Sequence, residues 1–97
     1  MKGFVLSGRA RRDVAGIIGD LHSGMGAASA DDFERRLFFA LHELVRLGGP
    51  GHRRSDLTQR NFLFEFVHPY FIIFEKKRDA IHVVRVLHSA RDIAKLL

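Results

Sequence analysis

The hydrophobic pattern of this chain changes period once, at Gly48-Gly49-Pro50-Gly51, and that change limits the folds open to it. Before the break, apolar residues recur every three or four positions, as on one face of a helix. Ala10, Val14, Ile17 and Leu21 form one such stripe, and Phe33, Leu37, Leu41, Leu44 and Leu47 form a second. After the break come three runs rich in β-branched and aromatic residues, at 62–67, 70–75 and 81–87. Helices followed by closely spaced strands point to the α+β class, with the helices gathered on an antiparallel sheet.

Within this frame, residues 4–6 read as a short first strand that stops at Ser7-Gly8, and Ser7 stands where a helix N-cap belongs. A first helix is expected over about 9–22, weakened at Gly16 and Gly19 by about 1 kcal/mol each relative to alanine. Those glycines would also let another element approach closely. The Gly- and Ala-rich stretch 23–29 reads as a turn, and not as a phosphate cradle, since no strand precedes it. Ser29 with Asp32 has capping-box spacing and would open a second helix. Two helices joined by so short a turn pack as an antiparallel hairpin.

Pro69 and the Lys77-Arg78-Asp79 cluster separate the three later strands into an antiparallel meander. Regular alternation in the last strand puts Ile81, Val83, Arg85 and Leu87 on one face and His82, Val84, Val86 and His88 on the other, so Arg85 interrupts an apolar row. The other two strands are apolar on both faces. That fits helices on one side with a partner on the other, or a central position in the sheet. Residues 89–97 read as a tail of one or two helical turns.

Ninety-seven residues suit a single domain spanning 1–97. With 46% hydrophobic residues and nine Phe the chain can close a core, though a domain this small has little stability in reserve. The net charge is +5, and residues 49–97 hold nine basic and five acidic side chains against seven and six in residues 1–48. Such asymmetry suits an acidic protein or a phosphate backbone as partner, and equally a solvated basic face. The chain has no Cys, which excludes a disulfide scaffold, a thiolate zinc site and a Cys nucleophile, and fits a reducing cytoplasm. The apolar run at the N-terminus is too short for a signal or membrane segment, so a soluble cytoplasmic protein is expected.

The run Val83-Val84-Arg85-Val86-Leu87-His88-Ser89-Ala90-Arg91-Asp92 resembles the ending of ParE-type toxins of the RelE/ParE superfamily. There a last strand leads into His, two small residues and Arg-Asp. Pro50-Gly51-His52-Arg53-Arg54-Ser55-Asp56-Leu57 is similar to the family's loop before the sheet, and Tyr70-Phe71-Ile72-Ile73-Phe74 to its aromatic-aliphatic strand. Arg60 lies further upstream of the Tyr-containing strand than the family's usual Arg, and Ser7-Gly8-Arg9 replaces its usual Pro near the first helix. The resemblance implies the toxin of a type II toxin–antitoxin pair, with an N-terminal strand, a helix hairpin, a three-stranded meander and a short tail. It further implies neutralisation by a small acidic ParD-like antitoxin and inhibition of DNA gyrase by binding. No cofactor, membrane or direct nucleic-acid contact is expected of such a toxin. RelE-like members are implied to cut messenger RNA on the ribosome, which is the alternative activity; an inactive scaffold kept for its antitoxin is a third.

Metal-free RNA cleavage needs an acid/base pair and cationic groups that hold the phosphate. Tyr70 is the one Tyr, and neither Tyr nor His follows Arg91, so the C-terminal aromatic acid/base of RelE-like nucleases has no counterpart. If the chain were a nuclease, His88 would be the acid/base, with Arg85 and Arg91 as clamps. A regular strand puts Arg85 and His88 on opposite faces, so their convergence would require a bend. As a binding toxin it would use His88, Arg91 and Asp92 toward its target, unless these residues only tie the tail to the sheet. Arg53, Arg54, Arg60 and Arg85 would meet the acidic antitoxin, with a solvated basic loop as the plain alternative. The six His share no i, i+4 spacing and no accompanying carboxylate at ligand spacing, so no metal is assigned.

Overall fold

The structure, a computed structural model, describes residues 3–97. In chain order it contains β1 (Gly3–Leu6), α1 (Gly8–Met25), α2 (Ala27–Arg46), β2 (Leu63–Val67), β3 (Tyr70–Lys77), β4 (Ala80–His88) and α3 (Ile93–Leu96). The sheet order is β1-β4-β3-β2, with the last three strands antiparallel and β1 parallel to β4. This is the expected α+β arrangement of strand, helix hairpin and meander.

Ser7 caps α1 as expected. Its Oγ accepts from the Ala10 amide at 3.0 Å and donates to the Val84 carbonyl at 2.9 Å, so one hydroxyl both starts the helix and ties it to β4. The helix hairpin covers one face of the sheet. There Val14, Phe33, Leu37, Leu41 and Leu44 pack on Ile72, Phe74, Ile81, Val83 and Val86. On the opposite face Phe64, Ile73 and Leu87 are covered by Phe62 of the loop before β2 and by Ile93 of the tail. The chain itself therefore covers both faces at the centre of the sheet, in β3 and β4, and leaves Phe66 of β2 half exposed.

Several local expectations are corrected. The turn anticipated over 23–29 is the single residue Gly26, whose φ of 94° reverses the chain between two helices that both run longer than expected. Ser29 consequently lies inside α2, which starts at Ala27 and has no side-chain cap bond, so the Ser29–Asp32 capping box does not form. A Cβ at Gly16 or Gly19 would meet nothing within 4 Å, so these glycines admit no neighbouring element. Close approach occurs at Gly51, where a Cβ would stand 2.9 Å from the Phe74 ring and 3.2 Å from Leu63.

The facial alternation of β4 is also corrected. Phe74 pairs with Val83 while Ile73 pairs with Arg85, leaving Val84 as an extra residue in a β-bulge. One inserted residue inverts the parity of everything after it. Val86 thus joins Ile81 and Val83 beneath the helices, and Leu87 goes to the opposite face with Ile73.

Candidate functional site

Where β1 ends, β4 becomes an edge strand, and its backbone needs another partner. Asp13 of α1 supplies it. Asp13 Oδ2 accepts from the Val86 amide at 3.0 Å and from Arg85 Nε at 2.8 Å, and Oδ1 accepts from Arg85 Nη2 at 3.0 Å. Arg85 Nη1 donates to the Leu96 carbonyl at 2.9 Å. The Asp13 hydrogen bonds hold the Arg85 guanidinium above its ordinary pKa, against the opposing effect of burial. The arginine that interrupts an apolar row in the sequence thus fastens α1, β4 and the tail together.

Arg85 and His88 do not converge. Arg85 stands opposite Ile73 on one face and His88 opposite Tyr70 on the other, because the bulge falls before Arg85 and not between the two. His88 Nδ1 accepts from the Ala90 amide at 2.9 Å, which leaves Nε2 to carry the proton of the neutral ring. Its ring meets Tyr70 edge-on at 5.4 Å, and Tyr70 meets Phe33 at 4.9 Å. Burial raises the Tyr70 pKa, assisted by Asp20, so its phenol remains a donor beyond the ordinary range. His88 and Arg91 share a cavity of about 460 Å³ with Arg12, Asp20 and Tyr70. Asp92 stands outside it, 3.7 Å from Lys95. Arg12 and Asp20 were not legible as site residues, since only the packing of α1 across β4 brings them to His88.

The four arginines expected at an antitoxin contact are separated. Arg53 donates to Asn61 Oδ1 at 2.9 Å. Arg54 grips Asp56 through two hydrogen bonds at 2.9 and 2.8 Å and lies over the Phe71 ring. Both fasten the loop that covers the second core. Arg60 sits over Phe62 at 4.7 Å and, with Arg85, lines a different cavity beside the start of α1.

A further groove, about 560 Å³, runs between α2 and β2. Phe39 and Leu47, which are 69% and 57% exposed, line it with Arg35 and Arg36 and with Asp32, Glu43 and Glu65, while Phe66 borders it from β2 with its half-exposed ring turned to Phe71. Leu47 belonged to the expected core stripe, but it follows the last turn of α2 and faces outward. The adjacent pair Phe38-Phe39 was the available signal, because neighbouring helical positions cannot both face one core. His52 pairs with the outer edge of Phe64, which leaves the next outward-facing backbone groups of β2, those of Phe66, beside the groove.

Among the described residues no cluster of His and carboxylates is arranged to hold a metal, and no helix is long and apolar enough to cross a membrane. A comparison with curated proteins gives no match. Among solved structures, the chain is similar to one described as the chromosomal ParDE TA system from P. aeruginosa. The TM-score is 0.73 at 16% identity, with 91% of this chain and 96% of that chain covered. That likeness concerns the fold. Residues 4–93 match the family described as the ParE toxin of type II toxin-antitoxin system, parDE, and the chain belongs to that family.

Proposed function

We propose that this ParE-type toxin acts by binding, that DNA gyrase is its target, and that a small acidic ParD-like antitoxin neutralises it in the cytoplasm. The observation that carries the binding reading is the division of the residues a nuclease would need. Arg85 is engaged by Asp13 and Leu96 on one face, while His88 holds the turn to Ala90 on the other. A general acid/base and its phosphate clamps must reach one reacting group, and of the expected clamps Arg85 does not, which leaves only Arg91 beside His88. The cavity holding His88 and Arg91 is the proposed target contact, with Asp92 at its margin.

The α2–β2 groove suits the antitoxin. Its exposed Phe39 and Leu47 accept the apolar face of an amphipathic helix, and its mixed rim, in which Arg35 and Arg36 stand beside Asp32, Glu43 and Glu65, accepts acidic residues where they displace the long Asp32 contacts of 3.9 and 4.0 Å. Arg60 remains a second contact for acidic side chains, whereas Arg53, Arg54 and Arg85 reach a partner only if they leave their present bonds. A supercoiling assay with purified toxin tests the target: loss of gyrase activity that added antitoxin restores is expected. Cleavage of ribosome-bound message at discrete codon positions, with gyrase unaffected, would establish the RelE-like alternative instead.

A further inference from the structure

The first turn of α1 carries Arg9 and Arg11 and no acidic residue, with Arg12 just after it, the reverse of what the positive end of a helix dipole favours. Arg9 and Arg12 line a cavity of about 420 Å³ with Ser7, Gly8, Arg60 and Arg85. Arg85 is neutralised by Asp13. Among the described residues, Arg9, Arg12 and Arg60 form no ion pair, although Arg35, Arg36, Arg46 and Arg54 each find a carboxylate nearby. Three like charges and a helix N-terminus therefore meet at one cavity, none of the three arginines within ion-pair distance of a carboxylate among the described residues, while Leu96 and Leu97 of the tail form its opposite wall.

We propose that this cavity binds a phosphate group carried by a nucleotide or a nucleic-acid strand. Charge and donor number favour phosphate over carboxylate. Three guanidiniums offer about fifteen N–H donors, and the helix end adds its first amides other than that of Ala10, which Ser7 Oγ already accepts. A carboxylate brings one charge and two oxygens. A terminal phosphate brings about −1.5 to −2 and three strong acceptor oxygens, a strand brings about one charge at each of several successive phosphates, and Arg forks match both in pairs. Gly8, where a Cβ would meet nothing within 4 Å, leaves the approach to the helix end open. The family resemblance implies no nucleic-acid contact, and residues 9 and 12 lie far in sequence from residue 60 and form no phosphate-binding motif with it. The proposal does not depend on gyrase being the target.

The test is calorimetric titration of the full chain at constant ionic strength with pyrophosphate, a single-stranded oligonucleotide and a Glu-rich peptide. Both phosphate probes are expected to bind more tightly than the peptide. The double variant Arg9→Gln/Arg12→Gln should weaken them about tenfold or more, without lowering the melting temperature, since it relieves an unfavourable charge at the helix end. Lys76→Gln/Arg78→Gln, which removes the same charge from the end of β3 and the turn that follows, should leave binding within about twofold, because screened distant charges contribute little. An oligonucleotide that binds more tightly than pyrophosphate would assign the phosphate to a strand, and equal affinity would assign it to a nucleotide. Absence of phosphate binding, peptide binding as tight as phosphate, or equal losses in the two double variants would each overturn the proposal.

Discussion

Asp13 and Arg85, 72 residues apart in sequence, form a two-pronged ion pair whose carboxylate also accepts the Val86 amide on the open edge of β4. Their side chains are 11% and 13% exposed. Removing one partner from such a pair leaves a poorly solvated charge. Asp13→Ala should therefore destabilise the fold by about 3 kcal/mol in urea unfolding, while Asp13→Leu/Arg85→Met should recover much of that loss. A single variant within about 0.5 kcal/mol of the parent would show that the pair contributes as little as a surface bridge.

Gly51 and the helix glycines should respond oppositely to alanine. Gly51→Ala forces the Phe74 ring or the loop to move and should cost about 1–3 kcal/mol. Gly16→Ala and Gly19→Ala meet open space inside α1 and should each add about 0.5–1 kcal/mol. Thermal melts of the three single variants give the signs directly.

The Arg54 hydrogen bonds hold the Asp56 carboxyl below its ordinary value of 3.8. A depressed folded-state pKa stabilises the protein above the unfolded value, and that contribution is lost as pH falls through the lower folded value. The loop should thus keep this clasp at neutral pH and release it only below about pH 4. A carboxyl carbon titration followed by NMR should show the Asp56 midpoint rising toward 3.8 in Arg54→Gln. An unchanged midpoint would mean that the clasp does not persist in solution.

Phe39 and Phe66 expose apolar surface that the fold leaves uncovered, so the free toxin should be poorly soluble and rescued by its antitoxin. Phe39→Asp should weaken antitoxin binding by about tenfold or more, with a melting temperature near that of the parent, because the side chain supports no core. Full affinity in that variant would move the antitoxin to another surface.

Toxicity should depend on His88 and Arg91 as binding groups. His88→Gln is expected to keep partial toxicity, and Arg91→Ala to lose more, because it removes a forked cation from the cavity. A catalytic histidine would instead lose about 10²–10⁴-fold. Retained antitoxin binding in each variant controls for folding, and measured toxin potency separates the two outcomes.

The sequence by itself determined the element order, the Ser7 cap and the core stripe from Phe33 to Leu44, because these depend on residues within a helical turn or a strand of one another. It also made Arg85 conspicuous, as a charge in an apolar row. Only the tertiary structure decided what Arg85 does, since its partner lies across the sheet on α1. The bulge at Val84 likewise left no local mark, yet it set which of Val86, Leu87 and His88 face the helices. The parallel pairing of β1 with β4 placed the end of the first strand beside Val83 and exposed the edge that Asp13 covers. Hydrophobic period is a short-range property, whereas strand order, register and the meeting of Arg9, Arg12 and Arg60 are set when distant segments pack.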